Sequence, residues 1–332
     1  MRTGHAFLAT LHLLSLTQCA SAWFYLDKEW IGEAFFDGWD WETENDPTHG
    51  RVNYVSQADA MSKNLSYVED GQFFMRADDV SIVDTTARGR DSIRISSRDA
   101  WEEAIFVLDV EHMPAGCSTW PAWWTLSRKG PWPNGGEIDI IEGVNLNVEN
   151  QATLHTTPEC QMPPDYLRQP QSGTSLNTDC DTSVDNNAGC GARFSNSGPS
   201  YGKPFNENHG GYYTMVKSPS SGIQVWFWPR DSPDIPTEIR HGVSNETTIY
   251  PTWQWGEPAA NFPMLKDYCD YHDHFNAHRM VFDLTFCGDW AGNVWSTSGC
   301  GPTTCVDFVN NNPSAFSEAY WTINSLRVYT PK

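Results

Sequence analysis

Short runs of strand length, some alternating apolar and polar side chains and others nearly all apolar, recur along this chain, at 92–96, 104–111, 137–142, 211–217, 223–228, 280–285 and 320–329. A period of two is the signature of strands, whose successive side chains point to opposite faces. Gly, Pro, Asn and Ser clusters separate the runs, and no long stretch carries the 3.6-residue period of an amphipathic helix. The pattern predicts an all-β sandwich. No proline-rich linker, charge block or internal repeat divides the chain, so residues 23–332 are expected to form a single domain. Two stretches, 156–204 and 251–278, lack a clear period and are expected to be long loops walling a cleft.

The run 137–142 departs from strict alternation. Glu137 and Asp139 are two apart and share a face, whereas Glu142, five from Glu137, belongs in a regular strand on the opposite one. A β-bulge at Ile140–Ile141 adds one residue and returns Glu142 to the face of the other acids. Glu137 and Glu142 are then four strand steps apart, roughly 13 Å between Cα atoms. Side chains leaning together bring the carboxyls to the ~5–5.5 Å of a retaining glycosidase, short of the about 6.5–9.5 Å of an inverting one. Acids alternating along a strand ordinarily mark a solvated face. Here no Lys or Arg is interleaved, like charges on one face repel, and Trp120, Trp123, Trp124 and Trp132 lie just upstream. Carboxylates beside aromatic platforms suit a cleft that cleaves sugars.

The ends and the cysteines change the setting. Residues 1–22 carry one basic residue, Arg2, then an apolar stretch and Ala20-Ser21-Ala22, the form of a cleaved signal peptide. No later stretch is long and apolar enough for a membrane helix. Cys19 leaves with the signal, and eight cysteines remain, which in an oxidising compartment read as up to four disulfides. Connectivity is not deducible, although Cys180–Cys190 and Cys300–Cys305 could each close a short loop. Zinc is the rival reading, disfavoured because no Cys-x-x-Cys occurs. Sequons at Asn64 and Asn245 fit a secreted glycoprotein. The net charge of −21, which becomes −22 once Arg2 is removed, disfavours nucleic acid and anionic polysaccharide as partners, but not a neutral glucan.

The segment Trp120-Pro-Ala-Trp-Trp124, followed by Trp132-Pro-Asn-Gly-Gly-Glu-Ile-Asp-Ile-Ile-Glu-Gly-Val-Asn145, resembles glycoside hydrolase family 16. Its bulged Glu-x-Asp-x-x-Glu form looks most like the fungal laminarinase-type endo-β-1,3(4)-glucanases. Further similarity lies at His155, Phe205-Asn-Glu-Asn208, Val225-Trp-Phe-Trp-Pro229, His274-Phe275 and Phe286-Cys-Gly-Asp-Trp-Ala-Gly292, and runs from about Trp23 to Tyr329. The resemblance implies a concanavalin A-like jelly-roll sandwich of two curved antiparallel sheets. It implies Glu137 as nucleophile, Glu142 as general acid/base, and Asp139 between them as an orienting carboxyl. The family's cleft positions match Trp124, Trp132 and Trp290, with Asn145 a weaker polar candidate beside Glu257 and Asp289. His155 is either the family histidine near the acid/base or an ordinary structural one. Of Trp120 and Trp123, at least one is expected in the core.

The implied function is a secreted, extracellular, monomeric retaining endo-β-1,3(4)-glucanase acting on neutral β-glucan without a cofactor. Two alternatives keep the fold: a β-glucan transglycosylase using the same site, and a non-catalytic glucan-binding protein, which would have no need of both Glu137 and Glu142. The stretch Tyr271-His-Asp-His-Phe-Asn-Ala-His278 admits a metal reading, but glycoside cleavage by two carboxylates needs none.

Overall fold

The computed structural model describes residues 23–242 and 248–332. The signal segment and Asn245 therefore lie outside the described residues. Two large antiparallel sheets dominate, nine and eight strands among the described residues. One sheet runs in the order Thr248–Ile249, Phe24–Trp30, Tyr320–Pro331, Ala104–His112, Gly211–Ser218, Gly222–Pro229, Ala260–Phe262, with the hairpin Ser66–Glu69 and Gln72–Arg76 attached to Tyr320–Pro331. The other runs Thr174–Ser175, Cys190–Arg193, Gln151–His155, Glu137–Glu142, Thr119–Ser127, His278–Phe286, Arg94–Ser97, Trp39–Trp41. Consecutive strands of the chain repeatedly lie in different sheets, as in a jelly roll.

The core fills the space between the sheets. Phe106, Leu108, Val110, Met215 and Val225 from one sheet meet Trp123, Ile138, Ile140, Ile141 and Phe282 from the other. A second cluster lies on the other face of the first sheet, where Trp226 and Trp228 pack edge-on against Trp255 over Ile105 and Val107. Residues 104–108 are thus buried on both faces, which is why they read as a nearly continuous apolar run.

Several expectations are corrected. The run 92–96 is not one strand: Arg90–Ser92 pairs in parallel with Val52–Tyr54, and after Ile93 the chain enters the catalytic-side sheet as Arg94–Ser97. Phe24–Trp30, Gln72–Arg76 and Gln151–His155 are further strands that the sequence pattern does not mark. The stretch 156–204 holds the strands Thr174–Ser175 and Cys190–Arg193, and 251–278 holds Ala260–Phe262 and the helical turn Tyr271–His274. Each supplies edge strands that extend the sheets. The disulfides are Cys117–Cys300, Cys160–Cys269, Cys180–Cys190 and Cys287–Cys305. The short-loop pair at Cys180 and Cys190 forms, but Cys300 and Cys305 part. Cys305 opens a helix, Cys305–Asn311, that buries against Phe286, while Cys300 reaches the chain just before Thr119–Ser127. Among the described residues, no helix is long and apolar enough to cross a membrane. Asn64 is exposed at a turn with φ of 56°.

Candidate active site

The loop from Ser127 to Glu137 ends in Gly135 and Gly136, at φ of 77° and 82°. A Cβ on Gly136 would stand 2.6 Å from the Phe275 ring and 2.7 Å from the carbonyl of His274, so the Gly-Gly pair is a condition for the chain's entry into the strand. His278 holds the same turn from below: its Nε2 donates to Gly135 O at 2.6 Å while Thr125 Oγ1 lies 2.9 Å from Nδ1.

In Glu137–Glu142 the register breaks between Asp139 and Ile141. Asp139 aligns with Trp124, Ile141 with Trp123 and Glu142 with Ala122. Ile138, Ile140 and Ile141 are all fully buried, and Glu137, Asp139 and Glu142 share the opposite face. The bulge deduced from the odd spacing is present. Trp120 and Trp124, two residues either side of Ala122, lie on the face of the acids, and Trp123 is in the core.

Each carboxyl has its own surroundings. The Trp132 ring is 47% exposed, and its Nε1–H donates to Glu137 Oε2. Trp120 Nε1–H donates to Glu142 Oε1 at 2.8 Å. Burial pushes Glu142 up to about 8, and the charges of Glu137 and Asp283 add to this while the Trp120 bond opposes it. Glu142 is half-buried and lines the open space at this end of the site. Asp139, 2% exposed, is raised well above the carboxylate range, first by burial and then by Glu137 and Glu142 on either side. The Asp139 carboxyl lies against that of Glu137, and this contact adds to the rise.

His155 aligns with Glu137 on the next strand. Its Nε2 lies 3.4 Å from Asp139 Oδ2, and Nδ1 lies 2.9 Å from Oδ1 of Asn187. Across the cleft, Arg94 bridges Glu42 at 2.7 Å and Asp283 at 3.3 Å, with its guanidinium 5.1 Å from the Trp124 ring centroid. Trp290 stands edge-on to Trp120 at 5.8 Å, which places it at the Glu142 end of the site.

Asn145 lies beside Glu142, but both ends of its amide hold the fold: Oδ1 accepts from Ser118 N–H at 2.9 Å and Nδ2 donates to Ala291 O at 3.0 Å. Asp289 pairs with His49 at 2.9 Å on the surface, and Glu257 is exposed. Two open spaces flank the acids. One, of 440 Å³, extends from Glu142 past Leu146, Val148, Gln151, Arg193 and Trp290. The other, of 210 Å³, is bordered by Leu126, Trp132 and Arg279.

The Tyr271–His278 stretch does not gather its histidines. His272 is exposed, His274 faces Thr157, and His278 supports Gly135. Among the described residues, the potential metal ligands that come together, within 4.8 Å, are Glu137, Asp139 and His155. These are the two neighbouring carboxyls and the histidine that faces Asp139.

Sequence reasoning missed Trp120 as the partner of Glu142, and also Arg94, Asp283 and Asn187. The signal for Trp120 was its parity with Trp124. The hydrogen bonds of the others span 32 to 189 residues, and nothing local marks them.

An antiparallel jelly roll whose cleft holds paired carboxyls between tryptophan rings is the architecture of a glycosidase. Residues 39–329 match the family described as XgeA-like, catalytic GH16 domain. A probable glycosidase of Schizosaccharomyces pombe is 45% identical over 307 residues, covering 92% of this chain and 68% of that protein. A probable endo-1,3(4)-beta-glucanase of Aspergillus fumigatus is 38% identical over 334 residues, 97% of this chain but 48% of that protein. The chain thus spans about half the length of the Aspergillus relative. Among solved structures, laminarinase 16A from Phanerochaete chrysosporium, with 6-O-glucosyl-laminaritriose in donor and acceptor sites, superposes with a TM-score of 0.86 at 46% identity, covering 93% and 100% of the two chains. An elongating family 16 β-1,3-glucosyltransferase superposes with a TM-score of 0.81 at 36% identity, covering 92% and 100%. The chain belongs to glycoside hydrolase family 16.

Proposed function

We propose that this chain is a secreted, retaining endo-β-1,3(4)-glucanase that cleaves neutral β-1,3-linked glucan within the polymer. The observation that carries the reading is the contrast between the two glutamates. Burial raises Glu142, as a general acid requires, while Glu137 is the carboxyl that accepts the Trp132 N–H. Glu137 bonds to the anomeric carbon as the glycosidic C–O bond breaks, and the leaving oxygen takes the Glu142 proton. Glu142, now anionic, deprotonates water, which displaces Glu137 and returns the sugar in its β form. Asp139 carries no proton to substrate; packed against Glu137, it orients the nucleophile. Laminarinase 16A and the endo-1,3(4)-beta-glucanase relatives support β-glucan as the substrate class. The four disulfides support export into an oxidising compartment.

A second reading shares every residue but passes the glycosyl group to a sugar. It is supported by the 440 Å³ space on the Glu142 side, with Leu146, Val148 and Trp290 to hold an acceptor, and by the likeness to the elongating glucosyltransferase. One time course decides both points. On laminarin, NMR should show the β-anomer first, and Glu137→Ser should lose hydrolysis by orders of magnitude while still binding substrate. Early α-anomer refutes retention, and products longer than the starting oligosaccharide select the transferase reading.

A further inference from the structure

The bulge that turns Glu142 into the cleft takes backbone groups out of the sheet, and one buried side chain receives them. Opposite Ile140 and Ile141 the strand Gln151–His155 offers only Ala152, because Asp139 aligns with Thr153 and Glu142 with Gln151. Two residues facing one leave ladder positions unpaired, and buried N–H and C=O groups need partners. Asn150 supplies both. Its Oδ1 accepts from Glu142 N–H at 3.0 Å, and its Nδ2 donates to Ile140 O at 2.7 Å.

Asn150 is itself fully buried and fixed. Its backbone N–H donates to Ser200 Oγ at 3.0 Å and its carbonyl accepts from Phe194 N–H at 2.9 Å. Ser200 and Phe194 are both fully buried, and the carbonyl of Ser200 accepts from the Tyr213 hydroxyl. The amide is the side chain that fits, because one end must accept and the other donate. An aspartate offers no donor when ionised and would set a second charge beside Glu142, and a serine presents a single, shorter-reaching oxygen in place of the two separate amide atoms.

We infer that Asn150 is a positioning residue for proton transfer by Glu142: it staples the bulge, and the bulge aims the carboxyl. The inference rests on Glu142 as general acid/base. A leaving group that needs protonation depends on that aim, and one that departs unaided does not. A merely structural asparagine would affect both alike.

The test compares laminarin with a 2,4-dinitrophenyl β-laminaribioside, at a temperature where circular dichroism shows each variant folded. Asn150→Ala should lower kcat on laminarin roughly a hundredfold, the lower end of what a positioned general acid contributes. Bond cleavage in the dinitrophenyl substrate, followed as the first burst, should stay within about threefold of wild type, since that step asks nothing of the acid. Asn150→Ser should fall between. Ser66→Ala, which loses a buried bond to Phe74 O in the hairpin of the other sheet, should leave the ratio between substrates unchanged. Equal losses on both substrates, or a laminarin kcat within twofold of wild type, would overturn the inference. Glu142→Ala is the reference: if it lacks the leaving-group pattern, the acid/base reading fails, and if it shows the pattern while Asn150→Ala does not, the inference alone fails.

Discussion

Replacing Trp120 by Phe keeps a ring edge-on to Trp290 and removes the one N–H that donates to Glu142 Oε1. That bond favours the ionised carboxylate and so opposes the rise that burial causes. A hydrogen bond to a charged group contributes about 1.5–3 kcal/mol, and one pKa unit corresponds to about 1.4 kcal/mol. The loss should therefore raise Glu142 by about one to two units, nearer one because the residue is only half-buried. The sign follows from the role. As an acid Glu142 works while protonated, so the alkaline limb of kcat/KM marks its ionisation in the free enzyme. That limb, near about 8 in the parent, should move to roughly 9 in Trp120→Phe. Initial rates on laminarin-derived oligosaccharides between pH 5 and 10, by reducing-end release, give the profile directly. A limb that stays in place or moves to lower pH would refute both the role of the indole and the assignment of the limb to Glu142.

Trp132 has two functions that substitution separates. Trp132→Phe keeps a stacking face and removes the donor to Glu137, so kcat should fall about tenfold with KM near the parent value, as for an interaction used in the transition state. Trp132→Ala should raise KM as well, and a Phe variant with full kcat would show the indole N–H to be idle. Deleting Ile141 removes a fully buried side chain and the bulge together. It should destabilise the fold by about 2–5 kcal/mol in chemical denaturation and abolish hydrolysis, because Glu142 would then point into the core. A folded, active deletion would show that the bulge does not aim the carboxyl.

What could be read from the chain was local. The period of two marked the strands, and the odd interval between Glu137 and Glu142 implied a bulge because strand geometry permits few ways to bring three acids to one face. The parity of Trp120 and Trp124 against Trp123 separated cleft from core once one of the faces was known.

What tertiary structure alone decided depends on register and on closure over long distances. Cys117 found Cys300 across 183 residues, and Cys305 found Cys287, because a helix and a loop packed against Phe286 rather than closing on each other. Asn145 looked like a polar cleft residue, yet its amide joins two loops whose meeting no local pattern announces. Arg94 at the Trp124 ring, Asn187 at His155 and Asn150 beneath the bulge each meet their partners only after strands have paired. A sequence of this kind specifies which faces exist and which acids lie on one of them. The proton affinities of those acids follow from burial and from hydrogen bonds made across strands, and these exist only in the assembled sandwich.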